Sequence, residues 1–76
     1  MDDLDIKLGD GSTLREAGGS LFMQWVLNKV NKANLSNSAA AQKLNGMANF
    51  YPGRIMAEDY KRHIIEEMKK AGIELQ

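Results

Sequence analysis

The C-terminal stretch of the chain, residues 55–76, carries an amphipathic helix pattern followed by a stop signal. Its apolar residues recur at three- and four-residue spacing and therefore share one helix face: Ala57, Tyr60, Ile64, Met68 and Ala71. Lys69 and Lys70 occupy the last turn, where cations offset the helix dipole, and Gly72 follows where a left-handed residue ends a helix. The pattern predicts a helix from about Ile55 to Ala71.

Two further helices are predicted upstream of this one. Helix one runs from Leu21 to about Ala33, with Ser20 as its N-cap. Helix two begins after a cap at Ser36 or Ser38 and ends or kinks at Asn45-Gly46, because both residues tolerate positive φ. The predicted fold class is therefore all-α, a small three-helix domain spanning residues 12–76.

Residues 1–11 form a short acidic leader ahead of this domain. Leu4, Ile6 and Leu8 alternate with charged residues, which is a short strand pattern. A lone strand is not stable. The leader therefore either joins the tail at Ile73–Leu75 in a minor β pairing of the two termini or stays a mobile arm, and the usual behaviour of termini favours the arm.

Composition restricts the classes of function. A chain of 76 residues buries only about 60% of its unfolded surface, and such small domains usually rely on a disulfide, a metal or a partner. The sequence contains no cysteine and one histidine, which excludes disulfides, thiolate zinc sites and cysteine nucleophiles. No metal or cofactor is predicted. The acidic N-terminus does not resemble a secretory signal, and no apolar run could span a bilayer, so we expect a cytoplasmic protein without a membrane segment.

The favoured function is non-enzymatic recognition of a protein partner, or self-association, because a partner surface would supply burial that a small core lacks. The residues predicted to make this contact are Leu21, Trp25, Lys29, Phe50 and Tyr51. Tryptophan is common in interface hot spots. The competing interpretation for Trp25 is core packing, and the competing interpretation for Phe50 and Tyr51 is that they fill and cover the core.

The alternative function is a small DNA- or RNA-binding regulator with a divergent helix-turn-helix-like arrangement of helices two and three. Residues 1–14 are acidic and the rest of the chain is mildly basic. The predicted nucleic-acid contacts are Lys43, Arg54, Lys61 and Arg62. Asn45 and Pro52 both interrupt the helix-turn-helix pattern.

An enzymatic function is not expected. His63 has Asp59 one turn before it and Glu67 one turn after it, but no serine or second histidine lies on that helix to complete a nucleophile pair. The charges of this helix alternate in sign, and Glu58 and Arg62 form a favourable pair, as is typical of a solvated helix face.

Overall fold

The computed structural model describes residues 2–48 and 55–76 and contains three α-helices. They are α1 (Gly19–Lys32), α2 (Ala39–Ala48) and α3 (Glu58–Lys70). The central helix α2 packs against both α1 and α3, and a short 3₁₀ turn at Asp3–Asp5 packs against α3. The predicted three-helix, all-α fold class is confirmed.

Two predicted helix starts differ from the structure, and one is confirmed. Gly18 precedes α1 as its N-cap residue, so Ser20 lies within the first turn and the prediction that it caps the helix is wrong. The cap of α2 is Ser38, whose Oγ accepts a hydrogen bond from the Ala41 amide at 3.1 Å. Helix α3 begins at Glu58 rather than near Ile55.

The helix α2 continues through Asn45 and Gly46 to Ala48, so the prediction that it ends at this pair is wrong. Leu44 and Met47, on either side of this pair, are both buried in the core. Tertiary burial of this apolar face stabilises the helix and outweighs the low helix propensity of glycine.

The C-terminal end of α3 is closed as the sequence predicts. Gly72 adopts a φ of +79°, and the amide of Ile73 donates to the carbonyl of Met68 at 3.0 Å. This is the Schellman motif, which satisfies carbonyl groups that the helix leaves open. Helix α1 ends in the same motif, with Asn34 at a φ of 60° in place of glycine.

The acidic leader is packed into the domain and is not an arm. Leu4 has no exposed surface. The amide of Leu14 donates to Ile6 and that of Arg15 donates to Leu4, both at 3.0 Å, after the chain reverses at Gly11. The described backbone of the leader therefore hydrogen-bonds to the adjacent residues 12–15 and not to the C-terminal tail.

The predicted β pairing of the two termini is also wrong. Within residues 2–48 and 55–76, the bridge between Lys7 and Thr13 is the only β-type pairing, and no strand forms. The tail is held by its side chains, because Ile73 is buried and Leu75 is half-buried against the core. Thr13 and Glu16 form a reciprocal capping box, because the Thr13 amide donates to Glu16 Oε1 at 2.9 Å and the Glu16 amide donates to Thr13 Oγ1 at 3.4 Å.

A buried lysine connects α3 to the turn that joins the leader to α1. Lys61 has no exposed surface, and its Nζ donates to the carbonyl oxygens of Leu14 at 2.6 Å, Arg15 at 3.0 Å and Ala17 at 2.7 Å. The same Nζ lies 5.6 Å from the centre of the Phe22 ring, within the range of a cation–π contact. Burial lowers the pKa of Lys61, since an ammonium loses its hydration there.

The core gathers apolar side chains from all three helices, the leader and the tail. Its largest fully buried members, besides Lys61, are Phe22, Leu4, Leu14, Leu44, Ile64, Ile65, Met68, Val26 and Val30. Tyr60 adds a polar contact between helices, because its hydroxyl donates to the Met47 carbonyl at 2.9 Å. The leader is thus part of the core that the three helices enclose.

Lys61→Met tests how much of the stability depends on the buried ammonium. Methionine fills a similar volume but leaves the three carbonyl groups without their donor, so we expect the free energy of unfolding to fall by about 3 kcal/mol. Urea denaturation measures the change. The matched control is Lys70→Met on the exposed side of the same helix, which should alter stability by no more than about 0.5 kcal/mol. An unchanged or higher stability in Lys61→Met would contradict a structural role for the charge.

Two glycine substitutions should shift stability in opposite directions. Gly46→Ala lies inside α2, where an added Cβ meets no atom within 4 Å, and should stabilise the protein by about 0.5–1 kcal/mol. Gly72→Ala places an L side chain at a φ of +79° and should destabilise it by about 1 kcal/mol. The same urea titration measures both changes, and destabilisation by Gly46→Ala would show that α2 does break there.

Candidate functional site

A surface groove of about 600 Å³ lies between three parts of the chain. One wall is the leader, another is the outer side of α1, and the third is the C-terminal tail. The residues that line this groove are Asp5, Ile6, Lys7, Leu8, Gly9, Leu21, Gln24, Trp25, Asn28, Lys29, Leu75 and Gln76. We call it the α1 groove.

Three of the residues predicted to contact a partner line the α1 groove together. Leu21, Trp25 and Lys29 follow each other at four-residue intervals on α1, so the helix presents them along one side. The three walls contribute five apolar side chains, which we call the apolar floor of the groove: Ile6, Leu8, Leu21, Trp25 and Leu75. The structure does not test whether these residues bind anything, and their role stays a prediction.

Trp25 belongs to the core, although one edge of it reaches the groove. It is 8% exposed, and its ring centre lies 5.7 Å from that of Phe22, with the two planes tilted by 40°. The packing interpretation therefore describes most of this side chain. Leu21, at 41% exposure, is the apolar residue of α1 that the groove presents to solvent.

The groove carries two lysines that have no anionic partner. Lys7 on the leader and Lys29 on α1 form no ion pair with any described residue. Asp5, the acidic residue of the same groove, is already bound to Arg15. The groove therefore holds two lysine charges that no described carboxylate pairs with.

A smaller groove continues the α1 groove along the tail and shares Lys29 and Gln76 with it. Lys32 lies in this second groove and also has no ion-pair partner in the described part of the chain. Glu74 faces the same space. The three unpaired lysines of residues 2–48 and 55–76 thus lie along one continuous surface.

Residues that sequence reasoning missed complete this site. Ile6, Lys7, Leu8 and Leu75 all line the α1 groove. The alternating apolar pattern of the leader was the available signal, but it suggested strand pairing or a mobile arm. A period-two pattern shows that a segment has an apolar side, yet it does not show which helix that side will face.

The three predicted nucleic-acid residues that the structure describes, Lys43, Lys61 and Arg62, are all engaged within the protein. The prediction fails for Lys61, because its ammonium is enclosed and its donors point at carbonyl groups. Lys43 pairs with Glu67 at 2.9 Å, and Arg62 pairs with Asp2 through two contacts of 2.7 Å. Arg54, Phe50 and Tyr51 lie outside the described residues.

The connection between α2 and α3 bears on the predicted helix-turn-helix-like arrangement. The described part of α2 extends to Ala48, and residues 55–57 are non-helical before α3 begins at Glu58. A helix-turn-helix joins its two helices by a turn of about 3–4 residues. Residues 49–54, which complete the connection, lie outside the described residues, so this arrangement stays a prediction.

Arg62 acts in an ion-pair network that holds the leader against α3. Asp2 binds Arg62 with both carboxylate oxygens and also accepts from Arg15 at 2.8 Å. The Arg62 hydrogen bonds, followed by one from the Leu4 amide, lower the pKa of Asp2 to about 2. Lys69 adds a further contact to Asp3 at 2.7 Å.

The acidic and histidine side chains of the described residues form no metal-binding cluster. No three histidine, aspartate or glutamate side chains there lie close enough together to hold a metal ion. His63 is exposed, with its ring centre 6.4 Å from that of Tyr60, and Glu67 is committed to Lys43. None of the three helices in residues 2–48 and 55–76 has the length and apolar character needed to cross a bilayer.

Comparison with known proteins gives no match, whether with protein families, with curated proteins or with solved structures. The α1 groove is therefore the feature from which we infer a function.

Asp2→Asn tests the network through the pH dependence of stability. Because the pKa of Asp2 is about 2 in the folded protein and about 3.9 in an unfolded chain, its ionised form stabilises the fold above pH 4. That contribution is lost as the pH falls towards 2. The midpoint of thermal unfolding should therefore fall less steeply between pH 5 and pH 2 in Asp2→Asn than in the wild type.

Circular dichroism measures these midpoints. The matched control is Glu66→Gln, which removes an exposed α3 carboxylate that forms no ion pair with a described residue. The control should keep the wild-type slope. Parallel curves for the wild type and Asp2→Asn would contradict the proposed coupling.

Proposed function

We propose that this protein is a non-enzymatic recognition domain that binds a segment of a protein partner in the α1 groove. One observation carries the proposal: Leu21, Trp25 and Lys29 line a single open groove together with apolar residues of the leader and the tail. Local helix geometry places three of these residues on one side of α1, and the packing of two other segments makes the groove.

The chemistry of the groove suits a polypeptide. Interface hot spots combine aromatic or apolar anchors with surrounding polar groups, and the apolar floor here is bordered by the amides of Gln24, Asn28 and Gln76. Such amides can donate to and accept from the backbone of a bound segment. The groove therefore offers both apolar contact and hydrogen bonds.

The exposure of the floor favours a large occupant over a small molecule. Small-molecule sites usually enclose about 70–90% of the ligand surface. Leu21 is 41% exposed and three separate segments border an open space, so a small ligand would keep much of its surface in water. A peptide segment extends past the groove and gains contacts along its length.

Leu21→Glu and Leu27→Glu form a matched pair that tests the site. The two leucines lie on the same helix with nearly equal exposure, 41% and 43%, but only Leu21 lines the α1 groove. A displayed library of random twelve-residue peptides is selected against the wild-type protein, and the affinities of the enriched peptides are measured by the emission of Trp25, the only tryptophan in the sequence. Leu21→Glu should weaken binding by at least tenfold, because a hot-spot contact contributes about 2 kcal/mol, and Leu27→Glu should bind like the wild type.

The outcomes separate the site from other surfaces. Equal effects of the two substitutions would contradict the α1 groove as the site, and a library that yields no saturable binder would contradict the proposal as a whole. Sedimentation of the unliganded protein is measured in parallel. A dimer that Leu21→Glu dissociates and Leu27→Glu preserves would identify a second copy of the chain as the occupant.

A further inference from the structure

We infer that the segment bound in the α1 groove is acidic, with carboxylate side chains that pair with Lys7 and Lys29 on either side of an apolar anchor. This inference rests on the proposed function and names the chemistry of the partner. It depends on the distribution of unpaired charge over the described part of the chain.

The basic residues divide into two groups by their contacts. In residues 2–48 and 55–76, six basic side chains already have a partner within the protein. Lys61 binds carbonyl groups. The other five bind carboxylates: Arg15, Lys43, Arg62, Lys69 and Lys70. The remaining three, Lys7, Lys29 and Lys32, line the α1 groove or its continuation. The available positive charge is therefore gathered where the apolar floor is also open.

Acidic residues near these lysines do not neutralise them. Asp5 is bound to Arg15, and the pKa of Arg15 is raised mainly by that hydrogen bond. Glu74, in the continuation of the groove, is outnumbered by the lysines. A partner that brings carboxylates would satisfy charges that the fold leaves without a counter-ion, and the resulting attraction would also speed association.

A nucleic acid fits the same surface less well. Binding to a phosphate backbone commonly uses about 6–10 contacts to lysine or arginine, and this surface offers three lysines and no arginine among the described residues. The floor of Ile6, Leu8, Leu21 and Leu75 needs an apolar side chain as its counterpart. An acidic peptide with an apolar residue meets both requirements.

The lysines lie on two different walls, which predicts how the charges of the partner are spaced. Lys7 belongs to the leader and Lys29 to α1, with Leu21 and Trp25 also on the helix wall. A segment that crosses the groove meets one lysine at each wall. Its acidic residues are therefore expected before and after the apolar anchor, and not in a single block.

The test uses the same random twelve-residue peptide library with the folded, full-length protein. Peptides selected by the wild type should be enriched in aspartate and glutamate around a leucine, phenylalanine or tryptophan. Lys7→Glu and Lys29→Glu should each weaken these peptides by about fivefold at 50 mM salt, and raising the salt to 500 mM should reduce the difference. The matched control is Lys70→Glu, an equal charge change on exposed α3, which should leave the affinity within twofold.

The double variant Lys7→Glu/Lys29→Glu gives a second readout that does not depend on loss of binding. A library selected against it should be enriched in lysine and arginine in place of acidic residues, provided that its thermal midpoint matches the wild type. A reversal of this kind supports the inference. Selected peptides with no acidic preference, or peptides whose binding the lysine substitutions leave unchanged, would overturn it.

Failure of the inference can be distinguished from failure of the proposed function. Binding that depends on Leu21 but not on Lys7 or Lys29 overturns the acidic partner and preserves the groove, whereas the absence of any saturable peptide overturns both. A labelled twenty-nucleotide DNA, single-stranded and duplex, is titrated in the same buffer. Tight DNA binding that the double variant abolishes would assign the lysines to nucleic acid and overturn the inference.

Discussion

The ammonium group of Lys61 makes three hydrogen bonds to the carbonyl groups of the turn before α1, and the arrangement of the leader depends on this contact. Transfer of an ammonium from water into a protein interior is costly, so it persists only where the surrounding groups replace its hydration. Here three carbonyl oxygens and the face of Phe22 do so. The turn also places Leu14 in the core, and its Leu14 and Arg15 amides donate to carbonyl groups of the leader, which connects the N-terminal segment to α3.

The ion pairs at the surface reinforce that connection and determine where charge remains available. Asp2 joins Arg15 to Arg62, and Glu67 joins Lys43 to Lys70 across α2 and α3. Exposed ion pairs contribute little stability individually. Each one nevertheless neutralises charges that would otherwise be available to a binding partner. Among the described residues, the lysines without an ion-pair partner border the α1 groove and its continuation, whereas the basic residues of the network that holds the leader are already paired.

The α1 groove exists because two chain reversals leave short segments beside α1. Gly11 turns the leader back towards its own backbone, and Gly72 ends α3 and releases the tail. Apolar side chains of both segments are partly buried against the core, and their remaining surface lines the α1 groove together with Leu21. A partner for this surface needs an apolar side chain for the floor and carboxylates for the lysines that no described residue pairs with, which is why we propose an acidic segment as its occupant.

The sequence alone determined the number and type of the helices, because apolar residues at a 3.6-residue period and a glycine stop such as Gly72 are local signals. It also predicted Leu21, Trp25 and Lys29 as one side of a helix, since that depends only on their spacing. Only the tertiary structure decided that Lys61 is buried, that Gly46 stays helical and that the leader joins the core. Each of these three features depends on hydrogen bonds or burial that residues distant in sequence supply, and a local sequence pattern does not show which distant residues those are.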